Sequence, residues 1–128
     1  MKKLLLAVVC GASVALVSGC SSIRITNELH DQALSDQGQT IAHINATVSG
    51  LYFLGFLPIW CGSPTEVGQP VFFSDKVTLT DTVSMLTKKS KAVGAAKVLD
   101  MQSCYDSSPV IPFLFSIKKC QVSGNCVR

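Results

Sequence analysis

Charge is scarce in this chain. Only 15% of its 128 residues are Asp, Glu, Lys or Arg, and it has two histidines and one tryptophan. An enzyme site needs several convergent polar groups, and few are available here. The acids Asp75, Asp81, Asp100 and Asp106 fall into no paired-carboxylate motif. There is no Gly-rich phosphate loop, nucleophile elbow or zinc signature. The chain has no C-x-x-C pair for thiol–disulfide exchange. It has no basic block to track a nucleic-acid backbone, and no internal repeat or low-complexity tract. No catalytic residue, metal site or cofactor is expected, and the chain is not read as an enzyme. His43 beside a free cysteine would make a nucleophile–base pair in principle, but the cysteines have a better use as cross-links.

What is present is concentrated at the start. Met1-Lys2-Lys3 is short and positive, and an uncharged apolar run extends from Leu4 to Val17. Val17-Ser18-Gly19-Cys20 then places small residues before a cysteine, as a signal peptidase requires. That is the lipobox pattern, in which the thiol is acylated before cleavage. The run is shorter than the roughly 20 residues a spanning helix needs, and it ends in a polar stretch. Residues 1–19 are therefore read as a lipoprotein signal peptide. Cys20 is read as the lipidated (palmitate-bearing) first residue of the mature chain. Its lipid is the membrane anchor, so the globular part needs no membrane-binding surface of its own. Ser21 after it, in a Gram-negative cell, points to the inner leaflet of the outer membrane, facing the periplasm.

Residues 20–40 comprise that cysteine and a polar stretch read as a tether, with His30 inside it. The globular domain is expected over 41–128, an α+β unit with a small antiparallel sheet and one amphipathic helix packed on it. Without Lys2 and Lys3, nine basic side chains face eight acidic ones, so the mature chain is nearly neutral. From Ile41 to Ser49 polar and apolar residues alternate with period two, the mark of a half-buried strand. Thr80 and Asp81 are candidate N-caps for a helix over 81–94. Val83, Leu86, Ser90 and Val93 line its apolar stripe, Lys88, Lys89 and Lys91 form a solvated face, and Gly94 ends it. Residues 95–104 and 116–127 read as a strand pair joined by the loop 106–115.

Four cysteines follow Cys20: Cys61, Cys104, Cys120 and Cys126. In an exported small domain four cysteines read as two disulfides stapling the fold. A metal site or free thiols are the alternative, disfavoured by the wide spacing. Sequence alone leaves three pairings open.

Two uncharged segments stand out, LYFLGFLPIW (51–60) and VIPFLF (110–115). The first reading is buried strand plus covered loop. The other is an exposed patch for a partner or a lipid surface, anchored by Phe56, Trp60, Phe113 and Phe115, because aromatics dominate interface energies.

The stretch VSMLTKKSKAVGAAKVLDMQSC (83–104), with Cys61 before it and the close pair Cys120 and Cys126 after it, resembles the Rcs stress-sensor family of outer-membrane lipoproteins. A Lys-rich helix there also runs into a small-residue turn and a strand ending in Ser-Cys. The resemblance covers roughly residues 61–128. It implies interleaved bridges, Cys61 with Cys120 and Cys104 with Cys126, and an outer-membrane or periplasmic protein partner. The function expected is non-enzymatic: envelope sensing or protein–protein interaction. The alternatives are a structural lipoprotein with no signalling output, or a cysteine-based metal-binding or redox module.

Overall fold

The structure, a computed structural model, describes residues 21–26, 28–29, 32–33 and 40–128. The expected signal peptide, Cys20, His30 and most of residues 27–39 lie outside the described residues. The elements run β1 (Ser21–Thr26), β2 (Glu28–Leu29), β3 (Gln32–Ala33), β4 (Thr40–Phe53), β5 (Leu57–Gly62), β6 (Pro70–Phe72), α1 (Leu79–Ala92), β7 (Lys97–Ile111) and β8 (Phe115–Val127). The α+β expectation holds, but the sheet is larger than a small one. It has six strands, all antiparallel, in the order β6-β5-β4-β8-β7, with β1 added beside β4. A separate ribbon pairs β2 with β3.

The central strand β4 follows from its alternation. Ala42, Ile44, Ala46, Val48 and Tyr52 are fully buried on one face, while His43, Asn45, Thr47 and Ser49 turn to the other. β8 repeats the pattern, burying Cys120, Val122 and Cys126. Helix α1 lays Thr82, Met85, Leu86 and Ser90 over these rows. The strand runs past Ser49 to Phe53, farther than the polar alternation reaches. The outer edge of β4 is shared, with β1 beside His43–Val48 and β5 beside Gly50–Phe53. Gly50 has no room for a side chain: a Cβ there would lie 2.6 Å from Cys61 Sγ and 2.9 Å from Val77 Cγ2. Its bare backbone lets the chain leading into α1 close on the sheet.

The helix begins two residues before its expected start. Thr78, not Thr80 or Asp81, is the N-cap, because its hydroxyl both accepts from the Asp81 N–H at 3.1 Å and donates to the Asp81 carboxylate at 2.9 Å. That reciprocal pair satisfies an orphan donor of the first turn. At the other end Gly94 takes φ 85°, with Ala95 N–H bonded to Ser90 C=O and Gly94 N–H to Lys91 C=O. This is the Schellman closure that favours glycine. Lys88, Lys89 and Lys91 are exposed, as a solvated face requires.

Three expectations are corrected. The tether does not start at Ser21: residues 21–26 form β1, with Ser21 buried and its hydroxyl accepting from Gly68 N–H at 2.9 Å. The expected loop 106–115 is mostly strand, since β7 continues to Ile111 and the turn is only 112–114. Pro109 fits because β7 is an edge strand, where a missing N–H breaks no ladder.

The disulfides are the third correction. Cys61, Cys104, Cys120 and Cys126 are free thiols, and the sheet register explains why. Cys104 stands opposite Gln121, five residues along β8 from Cys126, which is about 17 Å at strand rise. Cys61 stands opposite Gly50 and Cys120 opposite Val48, on either side of β4, about 12 Å apart by strand spacing and rise. A bridge needs Cα atoms within about 7 Å. The cysteines instead serve as small apolar core residues, Cys104 excepted, which is exposed.

Candidate functional site

The lengths of the two layers set up the site. The 14-residue β4 spans about 46 Å at strand rise, whereas the 14-residue α1 spans about 21 Å. Val77, just before the helix, lies over Gly50, and Ala96, just after it, bonds Val127 C=O at the far end of the sheet. The helix with its flanking residues 77–96 therefore spans the rows from Thr40 to Gly50. Tyr52 closes the covered part. Its hydroxyl donates to Asp75 Oδ1 at 2.5 Å, Cys61 Sγ lies 3.7 Å away, and Lys118 Nζ sits 4.3 Å above its ring. Burial, then the hydrogen bond to Asp75, push the Tyr52 phenol far above its ordinary range.

Past Tyr52 two hairpins project side by side. Their tips are tied by Leu54 N–H to Leu114 C=O at 2.8 Å. The β4–β5 turn is closed by Phe56 N–H to Phe53 C=O at 3.3 Å, and its central residues Leu54 and Gly55 have φ 52° and 78°. Two positive φ values are the type I′ combination, where Asn-Gly is the usual pair. The β7–β8 turn is closed by Leu114 N–H to Ile111 C=O at 3.1 Å, with Pro112 then Phe113 at its centre and Phe113 at φ 66°. Proline followed by a positive φ is the type II pattern, where glycine normally stands. A bulky residue there is strained by roughly 1–3 kcal/mol.

These turns display their side chains. Phe113 is 95% exposed and Phe56 66%. Beside them Phe73, 82% exposed and at φ 53°, extends the same end from just after β6. Leu54, Leu57, Val110, Ile111 and Leu114 are also exposed. Behind the tips Phe53 and Phe115 stack at 5.6 Å between centroids, tilted by 54°. With Leu57, Pro58, Ile59 and Phe73 they line an apolar groove of about 400 Å³. Residues 50–65, 67–74 and 107–117 contain no charged side chain and no histidine.

The four expected anchors are thus divided. Phe56 and Phe113 meet at the tip, Phe115 is half-buried against Phe53, and Trp60 sits farther back, half-buried opposite Leu51 and Phe72. The exposed-patch reading holds at 54–57 and 110–114, while the buried-strand reading holds for Tyr52, which is enclosed, and in part for Leu51, Phe53, 58–60 and Phe115, which are half-buried. Leu54, Phe73 and Leu114 belong to the patch and were not among the expected anchors. For Leu54 and Leu114 the sequence signal was the absence of Asn or Asp, and of glycine after Pro112, at turns that want such residues; Phe73 lies outside both turns.

Elsewhere on the uncovered face the chemistry is polar. His43 Nδ1 and Asn125 Oδ1 lie 2.8 Å apart, and Asn125 Nδ2 donates to Asp100. Cys61, Cys120 and Cys126 lie on the helix face, away from His43. Among the described residues no group of three or more His, Cys, Asp or Glu side chains is placed to hold a metal, and no helix is long and apolar enough to cross a membrane. Neither a family model, a curated protein nor a solved structure matches the chain.

Proposed function

We propose that the protein is a lipid-anchored lipoprotein of the bacterial envelope, held at the outer membrane and facing the periplasm. Its domain is a non-enzymatic docking module. The lipobox at Val17–Cys20 supports the anchor. The observation that carries the docking role is Phe113, a phenylalanine almost wholly in solvent, held at a positive φ that glycine would occupy without strain. Strained, exposed aromatics are retained where something binds them, since monomers rarely leave large apolar patches bare. Envelope sensing of the kind known in the Rcs stress-sensor family is one use of such a module.

Two measurements test the proposal. The intact mass of protein purified from membranes reports acylation of Cys20. A photo-crosslinking residue at position 113 in living cells should capture an envelope component, while the same residue at exposed Val93, at the opposite end of the domain, should capture none. Equal yields at the two positions would remove the docking role.

A further inference from the structure

We infer that the charge-free end inserts into the lipid bilayer itself, with Leu54, Phe56 and Phe113 among the acyl chains. This rests on the lipid-anchored reading above and specifies what the docking surface meets.

The direction of the chain supports it. β1 runs antiparallel to β4 and away from the tip, so its first residue, Ser21, is the one nearest the tip. Ser21 is buried beside Val48 and its hydroxyl accepts from Gly68 N–H, so the sheet begins one residue after Cys20 in sequence. An acylated Cys20 would therefore hold the domain directly against the membrane. From the level of Val48 to that of Phe53 is five residues, about 17 Å. One leaflet of hydrocarbon is about 15 Å, half of a 30 Å core. Because that span exceeds one leaflet and Asp75 is bonded to Tyr52, only the turn residues 54–56 and 112–114 enter the acyl chains, while Ser21 stays at the headgroups.

The chemistry of the tip favours lipid over a protein. Protein interfaces carry hydrogen bonds across their surface, but 53–60 and 109–115 offer no side-chain donor or acceptor except the Trp60 indole, which stands at the rear. The amides of Leu54, Phe56 and Leu114 are already bonded within the two turns. Hydrocarbon favours such internal pairing, and the open edge of β7 at 109–111 stays out of it, because nothing there can satisfy a free amide. Asp75 lies beside Tyr52, and behind it Lys118 and Lys119 stand opposite Gly50 and Ser49. Phosphate headgroups would meet them there, with Asp106 paired across from Lys119 in the same row.

Depth-dependent fluorescence quenching tests this on the full chain purified from cell membranes. It is reconstituted into phosphatidylethanolamine–phosphatidylglycerol vesicles, with and without bromines on the acyl chains. In a Trp60→Phe, Phe113→Trp variant the introduced indole should lose at least about half its emission to brominated lipid and resist aqueous iodide. In Trp60→Phe, Val93→Trp the order should reverse. The parent's own Trp60, about 7 Å behind Phe53 by strand rise, should give an intermediate response with no substitution at all. An indole at 113 that iodide quenches and brominated lipid does not would overturn the inference. So would one shielded from both, which would mean that a protein or a second copy covers the tip. Acylated Cys20 with a tip untouched by lipid sinks the insertion and spares the anchored reading, whereas unacylated Cys20 sinks the reading itself.

Discussion

The two halves of β4 present similar apolar side chains to opposite fates. From Ala42 to Val48 the helix face is buried under α1 and Ile44 is fully enclosed. From Phe53 into the turn at Leu54–Phe56 the strand outruns the helix and its side chains lie bare or half-bare. The turns differ in the same sense. Where α1 must end at positive φ, glycine stands at position 94. At the tips Leu54 and Phe113 occupy that geometry instead. Composition alone does not distinguish a core from a docking surface here. The distinction lies in which element is long enough to cover which, and in where the chain accepts strain that a glycine would remove.

The largest effect that could break this comparison concerns the cysteines. Cys104 should react with an alkylating reagent at once, while Cys61, Cys120 and Cys126 wait for unfolding. Global opening costs about 5–15 kcal/mol, so roughly a thousand-fold or greater difference in rate is expected by mass spectrometry. Thiols that fail to react even in denaturant would mean bridges and a different register. Burial also raises the Cys126 thiol above its ordinary value, which keeps it protonated and slow.

Next in size, Leu86→Ala should lower the unfolding free energy by about 2–5 kcal/mol, as expected for a fully enclosed leucine. Urea denaturation reads this directly, and a loss below about 1 kcal/mol would mean that the covered half is not packed.

The boundary between the halves has a pH signature. Tyr52 has its folded value raised above 10.0, so only its protonated form suits the native state. Its contribution is fully present below about pH 10 and is lost as pH rises toward the folded value. Stability should fall above about pH 10 in the parent and fall less steeply in Tyr52→Phe. Equal slopes in the two proteins would remove Tyr52 from that boundary. The smallest effect is a gain. Phe113→Gly should stabilise the domain by about 1 kcal/mol, because glycine relieves the positive φ, while removing a principal side chain of the docking end.

Much of the covered half was legible in sequence. Period-two alternation over 41–49 marked the buried face of β4, and of the stripe Val83, Leu86, Ser90 and Val93 that marked α1, Leu86 and Ser90 are buried while Val93 is exposed. These are local signals set by side-chain geometry. The sheet's extent was not legible. Ser21–Thr26 carries too little apolar periodicity to announce β1, which exists because β4 offers it an edge. β7 beyond Cys104 was hidden by Pro109 and by exposure along nearly its whole length, since an edge strand need not alternate. The cysteines misled because their order was read without a register, and the register separates them. At the tip the right aromatics were in view at Phe56, Phe113 and Phe115. That Trp60 stands apart and Phe73 joins them depends on strand pairing that no local pattern carries.

The central claim is that the distal end bears apolar surface the fold does not need. Urea unfolding of a Phe56→Ser, Phe113→Ser variant tests it most directly. Both side chains are exposed, so the unfolding free energy should stay within about 0.5 kcal/mol of the parent or rise slightly. A loss of more than about 2 kcal/mol would show that these rings pack into the domain and that its far end is core after all.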